Sequence, residues 1–167
     1  MRAAVLTISD KGSRGERIDL SGPALSDWLV QRSFEISATA IIADEQSLIA
    51  SALQQWADSA AADLIVTTGG TGLSPRDVTP EATLQILDRT VPGFAEAMRA
   101  ASLTKTPYAM LSRAVCGIRK RALIINLPGS PAGAVENLEA IWPAIPHAVK
   151  KLQGDMEDCA KPSNSST

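Results

Sequence analysis

Residues 67–83, TTGGTGLSPRDVTPEAT, set three glycines and three threonines ahead of an Arg-Asp pair. Glycine reaches positive φ and lets backbone amides come close to a ligand, and such amides with the hydroxyls of Thr68, Thr71 and Thr79 suit phosphate oxygens. A tight turn would use the same glycines. Asp77 sharpens the choice, because a carboxylate beside a phosphate cradle repels the ligand unless a cation such as Mg²⁺ lies between them. The plainer reading of Asp77 is a turn former near a helix start. The spacing is not G-x-G-x-x-G, and the Lys-Ser or Lys-Thr of a P-loop is missing.

Three other places carry comparable groups: Ser9-Asp10, Asp44, and Asn126-Leu-Pro-Gly-Ser-Pro at 126–131. Asp44 stands where a helix N-cap should be, and capping alone accounts for it. Arg113 and the run Arg119-Lys120-Arg121 face an anion or form a solvated hairpin, the commoner fate of a short charge run. His147, the single histidine, reads as a surface or packing residue, and no Ser-His-Asp triad can be assembled.

The elements that must position these groups alternate. Residues 3–8 are a continuous apolar run of the buried-strand type, and 9–20 read as a polar loop. A helix follows from Pro23 to about Arg32. Residues 34–42 form a second strand, and a helix opened by Asp44 carries Leu48, Ile49, Leu53 and Trp56. Residues 63–67 are a third buried strand running into the glycine stretch, and 80–87 the helix after it. A further helix is expected over 92–103. Two apolar segments, 114–118 and 122–127, then flank the basic run as a hairpin or return strand. Ser130 caps a helix starting at Pro131, and a last helix covers 144–152. Residues 1–153 thus read as one domain and 154–167 as a disordered tail with little to bury. Three βα units followed by a hairpin predict a three-layer αβα fold with a mostly parallel sheet plus a short antiparallel hairpin. In such sheets ligands gather at the carboxyl ends of the strands, so four loops should converge on one rim.

Composition narrows the function classes. The chain has 167 residues, 45% of them hydrophobic, enough for one ordinary core. Lys plus Arg total 16 and Asp plus Glu 18, a net charge of −2, so no broad basic surface is available for nucleic acid. Cys116 and Cys159 lie far apart and neither sits in a CxxC pair, which disfavours a disulfide framework and a zinc site. The N-terminal apolar run stops too early for a signal peptide, and no stretch is long enough to span a bilayer. The expectation is a soluble cytoplasmic protein without nucleic-acid or membrane partners.

Taken together, TISDKGS, IADEQ, GGTGLSPRDVTPEAT, MLSRAVCGIRK and LIINLPGSPAGAVENLEAI resemble, in the right order over residues 2–153, the molybdopterin adenylyltransferase family. This is the MogA/MoaB group, which includes the G domains of plant and animal fusion proteins. The resemblance implies a three-layer α/β homotrimer that adenylates molybdopterin with ATP and Mg²⁺ and hands the product to a MoeA-type molybdenum insertase. It implies that Asp44 and Asp77 are the catalytic and Mg²⁺-binding aspartates. It further implies that Gly69, Gly70, Thr71 and Gly72 meet the nucleotide phosphates. Nucleotide or pterin contacts are expected from Ser9, Asp10, Thr68, Arg76, Thr79, Pro80, Glu81, Ser112 and Arg113, and from Asn126, Pro128, Gly129, Ser130 and Pro131. Two alternatives stay open: a non-catalytic molybdopterin-binding protein of the MoaB type, which would depart from the RDVTPE pattern intact here, and a CinA-like domain acting on pyridine-nucleotide pyrophosphates, normally joined to a second domain.

Overall fold

A computed structural model describes residues 1–155. Strand β1 (Arg2–Ile8) is apolar and buried along nearly its whole length because strands flank it on both sides. Strand β2 (Glu35–Ile42) lies at the sheet edge, and its exposure alternates accordingly. With β3 (Leu64–Thr68), β4 (Arg89–Thr90), β5 (Cys116–Arg119) and β6 (Ala122–Leu127) they form one six-stranded sheet in the order β2-β1-β3-β6-β5-β4. The first four in that order run parallel, while β5 is antiparallel to β6 and β4. The expected fold is therefore present, with β4 as an added two-residue strand.

Helices cover both faces. Leu25 and Leu29 of α2 (Ser21–Val30), Phe94 and Met98 of α5 (Pro92–Leu103), Leu138 of α6 (Pro131–Ile141) and Ile145 of α7 (Ile145–Leu152) pack with Val5, Val66 and Ile125 on one side. Ile49 and Leu53 of α3 (Gln46–Asp58) and Ala82 and Ile86 of α4 (Thr79–Ile86) pack with Leu6, Ile65 and Ile124 on the other. Alternate residues of each strand feed opposite cores, which makes the register of β1, β3 and β6 costly to slip.

Three local readings change. The 9–20 segment contains a short helix α1 (Asp10–Ser13) capped by Ser9, whose hydroxyl accepts from Gly12 N at 3.0 Å. Helix α2 begins at Ser21, because the Asp19 carboxylate accepts from the amides of Ser21 and Gly22 at 2.9 and 3.0 Å. Asp44 does not cap α3: Glu45 occupies that position without a side-chain capping bond. The tail expected over 154–167 lies outside the described residues from 156 onward. No helix among the described residues is long and apolar enough to cross a membrane.

Candidate active site

Strand β1 leads outward to the edge strand β2, whereas β3 leads inward toward β6, so the chain diverges between the carboxyl ends of β1 and β3. A crevice opens at such a switch point. Gly69, directly after β3, has φ +105° and would overlap the Ile8 carbonyl oxygen if it carried a Cβ. Gly70 follows at φ +64°, hemmed by Thr79 Oγ1 and Asp44 Oδ1. The glycines are required by both dihedral angle and close approach.

The four expected loops do meet on this rim. Gly69 N donates to Leu127 O at 3.2 Å, Thr68 Oγ1 to Pro128 O at 2.7 Å, and Ser21 Oγ to Gly129 O at 2.7 Å. Thr79 N donates to Gly70 O at 3.1 Å and its hydroxyl to Gly69 O at 2.9 Å, closing the glycine turn onto the start of α4. Pro80 occupies the first turn of α4 and Pro131 that of α6, where a missing N–H costs nothing. Ser130 caps α6 as expected, accepting from Gly133 N at 3.2 Å.

The carboxylates form a connected group. Asp10 N donates to Asp44 Oδ2 at 2.8 Å and Asp44 N donates to Asp10 Oδ1 at 3.0 Å, a reciprocal pair that explains why Asp44 is unavailable as a cap. Arg76 grips Asp10 with two bonds, Nε to Oδ2 at 3.0 Å and Nη2 to Oδ1 at 2.7 Å. That grip holds the Asp10 carboxyl below its ordinary range. The Asp44 carboxyl moves the other way, raised by burial first and then by the negative charges of Asp10 and Asp77. Asp77 accepts from Ser74 N at 2.8 Å through Oδ2, and a Cβ on Gly72 would stand 2.9 Å from that oxygen. Asp44 and Asp77 therefore flank the Gly70–Gly72 backbone.

These two aspartates fit a Mg²⁺ ion that arrives with phosphate. Asp44 Oδ1 and Asp77 Oδ1 receive no hydrogen bond among the described residues, and their mutual repulsion is the kind a divalent cation relieves. The described residues contain no group of three or more His, Cys, Asp or Glu able to hold a metal. One or two carboxylates completed by substrate phosphates and water is the usual Mg²⁺ arrangement.

Several expected contact residues have their side chains engaged by the chain itself. Asn126 is fully buried; its amide donates to Thr67 and Thr83 hydroxyls at 3.1 and 3.0 Å and its oxygen accepts from Val115 N at 3.3 Å. Thr68, Thr71 and Thr79 are buried as well. Ser112 closes a 3-10 turn (Pro107–Leu111), and its hydroxyl accepts from Ala114 N at 3.4 Å. Arg113 turns back onto the glycine loop and pairs with Glu81. Burial, the largest single influence, works to raise the Glu81 carboxyl, but the Arg113 bond, Glu81's own backbone amide and the Arg113 charge together leave it lowered.

Two clefts border the rim and share Ser130. One, about 370 Å³, lies between the β1 loop and α6 and is lined by Ser9, Arg17, Asp19 and Gly129; the other, about 300 Å³, lies on the β5 side against Gly72, Ser112, Tyr108 and Asn137. Arg17, Asp19, Tyr108 and Asn137 were not among the expected residues. Asp19 had a legible signal, an aspartate two positions before the helix start; its second oxygen accepts from the Thr7 hydroxyl at 2.7 Å. Tyr108 had none.

An open α/β domain with a glycine turn and paired aspartates at its switch point, and two clefts bordering that rim, has the layout in which such folds take up ligands. A family model described as "Probable molybdopterin binding domain" matches residues 4–147, and the chain belongs to that family. It is 46% identical over 154 residues to a molybdopterin adenylyltransferase of Helicobacter pylori, covering 90% of this chain and 87% of the relative. The corresponding Escherichia coli K12 protein is 41% identical over 175 residues, covering 96% and 89%. A crystal structure of the molybdopterin biosynthesis enzyme MoaB from Thermus thermophilus superposes with a TM-score of 0.87 at 53% identity, covering 92% of this chain and 97% of that one.

Proposed function

We propose that this protein transfers the adenylyl group of ATP to the terminal phosphate of molybdopterin. A phosphate oxygen of molybdopterin attacks the α-phosphorus, the bond from that phosphorus to the bridging oxygen breaks, and its electron pair leaves with pyrophosphate. The obstacle is the approach of two anions, so catalysis consists of alignment and charge neutralisation. The observation that carries this reading is the pair Asp44 and Asp77 flanking the glycine backbone at the switch point. Uncompensated carboxylates beside an anion cradle make chemical sense when a cation joins them to phosphate. The amides of Gly70, Thr71 and Gly72 supply donors for the phosphates, since that of Gly69 is spent on Leu127 O and that of Thr79 on Gly70 O, and Asp44 and Asp77 would hold Mg²⁺. When bound, that ion neutralises phosphate charge and fixes the phosphate geometry. The two clefts meeting at Ser130 offer separate room for nucleotide and pterin. The names of the relatives support the same assignment.

The protein acts in the cytoplasm as a homotrimer and passes the adenylate to a molybdenum insertase of the MoeA type. Purified protein mixed with ATP, Mg²⁺ and molybdopterin should yield molybdopterin-AMP by mass spectrometry and an equal amount of pyrophosphate. ATP left intact while molybdopterin binds would instead support the non-catalytic reading, and cleavage of a pyridine-nucleotide pyrophosphate the CinA-like one. Light scattering should return three times the chain mass.

A further inference from the structure

Arg113 reaches the glycine loop from another element, the segment between the Pro107–Leu111 turn and β5. Its backbone N donates to Thr71 O at 2.9 Å and its Nε to Gly72 O at 2.7 Å. Its Nη2 donates to the carbonyl oxygen of Asp77 and its Nη1 to Glu81 Oε1. One guanidinium therefore ties the front of the loop at Gly72 to its back at Asp77 and to the first turn of α4 at Glu81. The other Glu81 oxygen, Oε2, is buried with no hydrogen-bond partner among the described residues. Glu81 thus depends on Arg113 for its side-chain partner. A planar fork spreads its donors over three nitrogens in fixed directions and so spans three separated acceptors, whereas an ammonium carries all its donors on one nitrogen. To meet a substrate phosphate with these same donors, Arg113 would have to release the loop.

We propose that Arg113 is a positioning residue, which fixes the backbone of Asp77 and so aims its carboxylate, rather than a contact for nucleotide or pterin. The inference rests on the adenylyl-transfer reading for its kinetic consequence, while the loop tether itself stands on geometry. A displacement of a reacting group by about 1 Å costs on the order of 10²-fold in rate.

Two readouts on the full chain test it. In Arg113→Gln, hydrogen exchange of the amides in 72–81 should quicken by roughly tenfold or more while β1, β3 and β6 keep their protection. The kcat for molybdopterin-AMP formation should fall about 30- to 100-fold, with KM for ATP and for molybdopterin within about twofold of wild type. Arg113→Lys keeps a cation beside Glu81, which guards against a folding failure of the Gln variant, and should lose kcat and loop protection in the same way. Unchanged exchange in the loop would overturn the proposal, as would a loss carried by KM or a Lys variant that restores kcat. If wild-type protein made no molybdopterin-AMP, the functional reading would fall, and loop exchange alone would still decide whether Arg113 holds Asp77.

Discussion

Both ends of the sheet carry arginine–carboxylate pairs, and they are built for different purposes. At the hairpin end, Arg119 donates to both oxygens of Asp58 at 2.9 and 2.6 Å and to Ile86 O at 2.8 Å, while Arg121 binds the carbonyls of Leu152 and Gln153. Lys120, at φ +52°, forms the turn, and its N donates to Asp88 at 2.7 Å. The basic run is thus a structural hairpin, with its guanidiniums tying helix ends to the sheet. At the rim the balance is reversed: Arg76 pairs with Asp10 and Arg113 with Glu81, leaving Asp44 and Asp77 without a cationic side-chain partner. Charge at one end is neutralised by the chain, and at the other it is left for something else to neutralise.

The most damaging way to probe that contrast is to remove charge at the rim. Asp77→Asn keeps an acceptor for Ser74 N, so stability should hold while turnover falls by roughly 10²-fold or more. Wild-type turnover at saturating ATP and Mg²⁺ would break the comparison. Asp44→Asn should lose activity to a similar extent yet melt no lower than wild type, and higher at neutral pH. The sign follows from its raised carboxyl: the folded state favours the proton, so the charged form costs stability above that pKa. As pH falls through the raised value the cost disappears, and the advantage of the Asn variant should shrink in parallel melting curves. A variant less stable than wild type at neutral pH would show that Asp44 is already compensated.

Asn126 occupies the same rim but belongs to the interior. Asn126→Ala strands Thr67, Thr83 and the amide of Val115, and should lower stability by about 2–4 kcal/mol in denaturant titration. Turnover per folded molecule should stay near wild type, and a raised KM with intact stability would return Asn126 to the ligand. The smallest effect is expected at the far end. Arg119→Gln removes a pair whose acid partner is solvent-exposed, so the melting temperature should drop by no more than a few degrees with kinetics unaltered. A change in kcat there would mean that the two ends are coupled.

Much of the architecture was legible because it is written in local pattern. The continuous apolar runs of β1, β3 and β6 can be satisfied only by burial on both faces, and their alternation with amphipathic helices dictates a layered, mostly parallel sheet. Glycine at 69 and 70 announced positive φ, and Ser130-Pro131 announced a helix start; both are read over a few residues. The two-residue β4 escaped because its exposed Arg-Thr pair carries no burial signal and owes its existence to β5 beside it.

The site divides along the same line. Sequence by itself determined that acidic and glycine-rich segments end the strands, and the shared direction of β1, β2, β3 and β6 brings those carboxyl ends to one rim. Only the tertiary structure decided which of those polar groups face outward. Asn126 and Thr79 look like ligand residues in the sequence, yet they close buried contacts between β6, β3 and α4. Asp44 looks like a cap, yet it pairs with Asp10, 34 positions earlier. Arg113 looks like one member of a basic cluster, yet it crosses to a loop more than 30 residues away. A side chain's partner is set by which segments the fold lays side by side, and the short-range spacing of residues holds no record of that.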